Sequence, residues 1–136
     1  MRVILCIDDR GGMMFNHRRQ SRDREVIKNI LDTVREDTLA MAPYSESLFA
    51  EGHAALRVEE GFLDQAGKGD WCFVEDRALL PYADRIEEMV LYRWNRTYPF
   101  DVKLDLDPIA HGFLLCESVE FGGYSHEKIT KEVYRK

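Results

Sequence analysis

No apolar run in the chain approaches the ~18 residues that a membrane-crossing helix needs, and Val3 to Ile7 is too short for the core of a secretory leader. A cytoplasmic location and no membrane partner are therefore expected. Cysteine is scarce. Cys6, Cys72 and Cys116 are odd in number and far apart, which excludes a disulfide framework and a CxxC metal site. Each sits in an apolar, strand-like run, so three plain buried thiols are predicted. Positive charge is in deficit: 19 Lys and Arg against 25 Asp and Glu give a formal net charge of −6. Whole-surface binding of nucleic acid draws on neutralised phosphates and is unexpected, although a local basic patch stays open. No GxSxG is present, so the motif of a serine hydrolase is missing. His53, His111 and His126 stand alone, without HxH or HExxH spacing, and read as surface or structural residues.

What is present is the composition of one globular domain spanning 1–136, with 45% hydrophobic and 32% charged residues and no low-complexity tract. The opening run from Arg2 to Asp8 is continuously apolar before its acids, the pattern of a strand covered on both faces. Val26, Ile27, Ile30, Leu31 and Val34 form one stripe of a helix, with Ser21 as the expected cap and Asp23 and Glu25 at its positive start. Thr38 to Met41 reads as a buried strand broken by Pro43, with a helical turn from Ser45 to Phe49. Leu56 to Glu59 reads as a strand, Gly61 to Ala66 as a short helix, and Asp70 to Val74 as another strand. Alternating strands and short helices imply an α/β domain with a largely parallel sheet.

The last third differs. Ile86 to Trp94, Phe100 to Leu106 and Phe113 to Phe121 are β-rich, with no helix between them long enough for a crossover, so antiparallel pairing at one side of the sheet is predicted. The tail from Ser125 fits either a helix or an edge strand through Ile129, Lys131 and Val133. Trp71, Tyr92, Trp94, Tyr98 and Phe100 are assigned to core or interface, and the acidic "VEE" and "VED" stretches to solvent.

The densest local feature is His17, Arg18, Arg19, Arg22 and Arg24. Guanidinium groups near a helix start would suit a phosphate or carboxylate. The alternative is a solvated face whose arginines pair with Asp8, Asp23 or Glu25. Asp8 and Asp9 end a central strand, where ligands bind in open α/β sheets. Adjacent strand side chains point to opposite faces, so no metal is expected there.

Three stretches in order resemble dihydrofolate reductase: "VILCIDDRGGMMFNHRRQSRDREVIKNIL", "TLAMAPYSESLF" and "LLPYADRIEEMVLYRWNRTYPFDVKLDLDP". The resemblance implies a dihydrofolate reductase-like α/β fold: a central mixed sheet, mostly parallel, with antiparallel C-terminal strands and flanking helices. It also implies a pterin-binding acid a few residues after an aromatic-Asn pair. Counted from Phe15-Asn16, that position is Gln20, whose amide carries no charge and supplies no proton near neutral pH. The family's phosphate-binding arginine is matched by the stretch Ala42, Pro43, Tyr44 and Ser45, and Glu75 and Asp76 replace its glycine pair. Two carboxylates repel a pyrophosphate, so NADP is not expected as a cofactor.

The resulting expectation is a domain without dihydrofolate reductase activity that binds a small anionic molecule. Its ligand would sit at the carboxyl ends of the strands starting near Val3 and Thr38, with Asp8, Phe15, Arg18, Arg19, Gln20, Arg24, Tyr44 and Ser45 around it. Two alternatives are a reductase of a pterin-like heterocycle using a nicotinamide or flavin, and an interaction protein that pairs its exposed final strand in a homo-oligomer.

Overall fold

The computed structural model describes residues 1–52 and 54–136; the sequence reading of His53 lies outside the described residues. Strand β1 (Arg2–Ile7) is the axis of the molecule. Its side chains alternate between two cores: Val3, Leu5 and Ile7 point into one, and Ile4 into the other. Both faces being covered explains why β1 reads as an unbroken apolar run.

A seven-stranded sheet runs in the order β5 (Ala55–Val58), β4 (Thr38–Met41), β6 (Trp71–Phe73), β1, β7 (Glu88–Arg93), β10 (Ile129–Arg135) and β9 (Leu114–Phe121). Strands β5, β4, β6, β1 and β7 are parallel, whereas β10 pairs antiparallel with both β7 and β9. The predicted mixed sheet is present. The predicted pairing of its last third needs correction. Strand β7 lies parallel to β1, because the chain between Phe73 and Glu88 crosses the sheet with only the 3-10 turn Leu80–Arg85. A full helix is not needed to step over one strand. The segment around Phe100 leaves the main sheet altogether: β8 (Val102–Lys103) joins β2 (Gly12–Phe15) and β3 (Arg18–Arg19) in a separate three-stranded sheet. The ambiguous tail is a strand, β10, and it is interior; β9 forms the edge.

Helix α1 (Arg24–Val34) covers one face, burying Val26, Ile30 and Val34 against Ile4, Val90, Ile129 and Val133. Its cap is Asp23, not Ser21. The reason lies in the partners that Asp23 collects, described below. A 3-10 turn, Pro43–Phe49, and the short α2 (Phe62–Gln65) complete the layers. Cys116 corrects the expectation of three buried thiols, because β9 is an edge strand and leaves it exposed. Burial pushes the Cys72 thiol up to about 11 and the Cys6 thiol higher still. Among the described residues no helix is long and apolar enough to cross a membrane.

Candidate functional site

The carboxyl end of β1 is fastened by Asp8, which is fully buried. Its Oδ1 accepts from the N–H of Arg10 (2.9 Å) and Gly12 (2.7 Å), and its Oδ2 from the Tyr98 N–H (3.0 Å) and the Gln20 amide (3.1 Å). Burial alone would raise this carboxyl, but the Tyr98, Gly12 and Arg10 donors and the Gln20 amide outweigh it and hold it below its ordinary range. Asp8 thus organises the turn into β2 and has no free lone-pair direction for a ligand.

Strands β2 and β3 form a hairpin whose two loop residues, Asn16 and His17, have φ of 52° and 63°. That is the twist of a type I′ turn, made without glycine. Phe15 and Arg18 are consequently exposed, and with Gln20 and Tyr98 they line a shallow groove on the outer side. Arg19 turns inward. Its Nε and Nη2 donate to Glu75 at 2.8 and 3.0 Å, its guanidinium lies 4.4 Å from the Tyr44 ring centre, and Ser45 Oγ donates to Glu75 at 2.8 Å. The hydrogen bonds to Glu75 raise the Arg19 pKa above its usual value. Glu75, assigned to solvent with the rest of "VED", is only 9% exposed in its side chain. A buried guanidinium requires a charged partner, and this is the carboxylate that supplies it.

Asp23 is the residue that sequence counting missed. At 3% exposure it caps α1 through the Glu25 N–H (2.8 Å) and gathers the N–H groups of Tyr124 (2.9 Å), Ser125 (2.8 Å) and His126 (3.1 Å), while His126 Nδ1 lies 2.9 Å from its Oδ2. Burial opposes ionisation, yet the Tyr124 N–H, the His126 ring and the Ser125 and Glu25 N–H groups hold the carboxyl far below the usual range. His126, read as an isolated histidine, is buried and stacked on Trp94 at 4.6 Å. Because residues 124–126 supply most of the donors, a local search for a helix cap could not have found this arrangement.

Arg19, Gln20, Asp23 and Glu75 border a cleft made of two adjoining pockets, its narrow and wide ends, which share Arg22, Asp23, Ile27 and Leu48 in their walls. The narrow end, about 20 Å³, lies among Cys6, Met13, Gln20, Ser21, Val74 and Trp94 and admits a single water-sized group. Gln20 donates through Nε2 to Asp8 and to Pro99 O (3.2 Å), which leaves its buried Oε1 without a partner. The wide end, about 830 Å³, runs between α1, the 3-10 turn and the loop at Tyr124. Ile27, Leu31 and Leu48 form its floor; Arg22, Arg24 and Lys28 stand along it, together with Asp32 and Glu51. Arg24 lies 3.5 Å from the Tyr124 ring centre. None of the ion pairs among the described residues takes Arg22, Arg24 or Lys28. The predicted site residues therefore separate: Asp8 and Gln20 at the β1 end, Arg19, Tyr44 and Ser45 around Glu75, Phe15 and Arg18 on the outer groove, and Arg24 in the wide cleft. Arg22 and Lys28 join Arg24 there. Among the described residues no three His, Cys, Asp or Glu side chains cluster in a way that would hold a metal ion.

No protein-family model and no curated protein sequence matches the chain. Among solved structures it is similar to a dihydrofolate reductase from Enterococcus faecalis complexed with NADP(H) and RAB-propyl, with a TM-score of 0.70 and 9% identity over 98% of this chain and 94% of that one. At that identity the likeness concerns backbone architecture alone, and together with the strand order above it establishes that this chain has a dihydrofolate reductase-like fold.

Proposed function

We propose that this domain binds a small anionic molecule in the two-ended cleft, with its negative group against Arg22, Arg24 and Lys28 and its apolar body on Ile27, Leu31 and Leu48. One observation carries the reading: three cations that take no carboxylate partner among the described residues stand over an apolar floor in a chain whose net charge is negative. Arg19, by contrast, is neutralised by Glu75, and Arg77 by Glu60 and Asp76. A cation left free beside an apolar wall is the arrangement that orients an amphiphilic anion.

The same contrast speaks against a dinucleotide. Beyond the carboxyl end of β6, Glu75 and Asp76 present carboxylates and hold Arg19 and Arg77 in pairs, so no free guanidinium faces a pyrophosphate there.

The test is a thermal-shift screen of aromatic and aliphatic carboxylates and phosphates, followed by the Arg22→Ala/Arg24→Ala/Lys28→Ala variant. A ligand at a hundredfold excess over its Kd stabilises by about 2.7 kcal/mol, and that gain is expected to vanish in the variant. An equal shift in the variant, or a screen that yields only neutral and cationic binders, would refute the reading.

A further inference from the structure

Ser21, His126 and Asp23 form a connected line at the narrow end of the cleft. Ser21 Oγ lies 2.9 Å from His126 Nε2, and His126 Nδ1 lies 2.9 Å from Asp23 Oδ2. Asp23 is held ionised by backbone donors, so it has no proton to give; the proton between the two belongs to Nδ1. In its neutral form His126 presents a lone pair at Nε2 toward the Ser21 hydroxyl. The ring cannot swing away, because it is 4% exposed and stacked on Trp94. Ser21 is half-buried and lines the cleft, so its Oγ borders space that a reacting group can enter.

We propose that Ser21 is a nucleophile for acyl transfer from carboxylic esters, with His126 as its general base and Asp23 as the positioning residue that fixes the imidazole tautomer and orientation. The space beside Ser21 admits only a water-sized group, so the substrate class is restricted to the smallest acyl esters, of an alcohol that lies outside that space and directs an anionic group toward the wide end. The charge preference rests on the binding reading above; the nucleophile does not. In the first step the Ser21 Oγ–acyl carbon bond forms and the acyl carbon–alkoxy bond breaks. The hydroxyl proton passes to His126 Nε2 and from there to the departing alcohol. Water then attacks the acyl-serine and gives its proton to Nε2, which returns it to Ser21 as the carboxylic acid leaves. No oxidant or reductant takes part.

Tyr98 completes the picture, since its hydroxyl lies 3.1 Å from the same Nε2 and competes with Ser21 for the single lone pair. The groups facing the ring are Asp23 from the α1 cap, Ser21, Tyr98 and Trp94 from their segments, and Ser125 from its own loop, whose Oγ is 3.3 Å from Nδ1.

The experiment treats the full chain with a neutral alkyl fluorophosphonate and locates the adduct by peptide mass mapping. One adduct at Ser21 is expected, absent in Ser21→Ala and slowed about a hundredfold in His126→Gln. If His126→Gln fails to fold, Ser21→Cys carries the test: the introduced thiol should be alkylated by iodoacetamide about tenfold faster than the exposed Cys116. No adduct at Ser21, an undiminished rate in folded His126→Gln, or a Ser21→Cys thiol no faster than Cys116 overturns the proposal. Hydrolysis of 4-acetoxybenzoate and of its neutral methyl ester separates the two readings. An approximately tenfold preference for the anion, lost in Arg22→Ala/Arg24→Ala/Lys28→Ala, supports both; a labelled Ser21 with no preference would defeat only the anion reading.

Discussion

The two ends of the cleft handle charge in opposite ways. At the narrow end the carboxylates are saturated, Asp23 by backbone and ring N–H groups and Glu75 by Arg19 and Ser45, as is Asp8 behind Gln20 by four donors. At the wide end Arg22, Arg24 and Lys28 have no carboxylate partner among the described residues. Saturation belongs to stability, because a buried charge without partners is costly, whereas an unpaired exposed cation costs little and remains available. Mutations at the two ends should therefore fail in different ways, the first by unfolding and the second by losing ligand.

The contrast breaks most violently at Asp23. Asp23→Ala removes a helix cap and strands the N–H groups of Tyr124, Ser125 and His126, and a loss of about 4 kcal/mol in chemical denaturation is expected. Glu75→Ala leaves Arg19 without its carboxylate and should cost about 3 kcal/mol in the same assay. Next comes Gly123, where an added Cβ would stand 2.6 Å from His126 O and 2.7 Å from Asp23 Oδ2. Gly123→Ala should cost about 2 kcal/mol by pushing that loop off the carboxylate. Acid titrates the same end. The folded-state pKa values of Asp8 and Asp23 are depressed, so their stabilisation is complete above the unfolded carboxyl value of about 3.9 and is lost as pH falls below it toward the folded values. Thermal unfolding should be level near neutrality and drop below about pH 4; a melting temperature unchanged down to about pH 2 would contradict the saturated-carboxylate account. The smallest stability effect belongs to the wide end, where Arg22→Ala and Lys28→Ala should each stay within about 0.5 kcal/mol while ligand binding is lost.

Much of the architecture was readable because its causes are local. β1 is apolar on both faces, α1 carries a 3.6-residue stripe, and Gly67 and Gly69 bracket the turn before β6. What escaped depends on distance. The parallel seat of β7 follows from a crossover with one 3-10 turn, which lacks the long helical period that announces most crossovers. Glu75 looked like a solvent residue until Arg19 was folded against it from 56 positions away. The site suffered most. Ser21 and Asp23 are near neighbours in the chain, but the imidazole that connects them lies more than a hundred positions on, and no spacing rule spans such a gap.

That long reach bears on the order in which the protein is made. The carboxylate that begins α1 finds three of its backbone donors at residues 124–126, so a ribosome releasing the chain amino end first must emit it past residue 126 before the helix acquires its finished start. Until β9 and β10 arrive, α1 is held by its apolar stripe and the local Asp23–Glu25 cap, and the docking of those two strands is the event that locks the first helix in place.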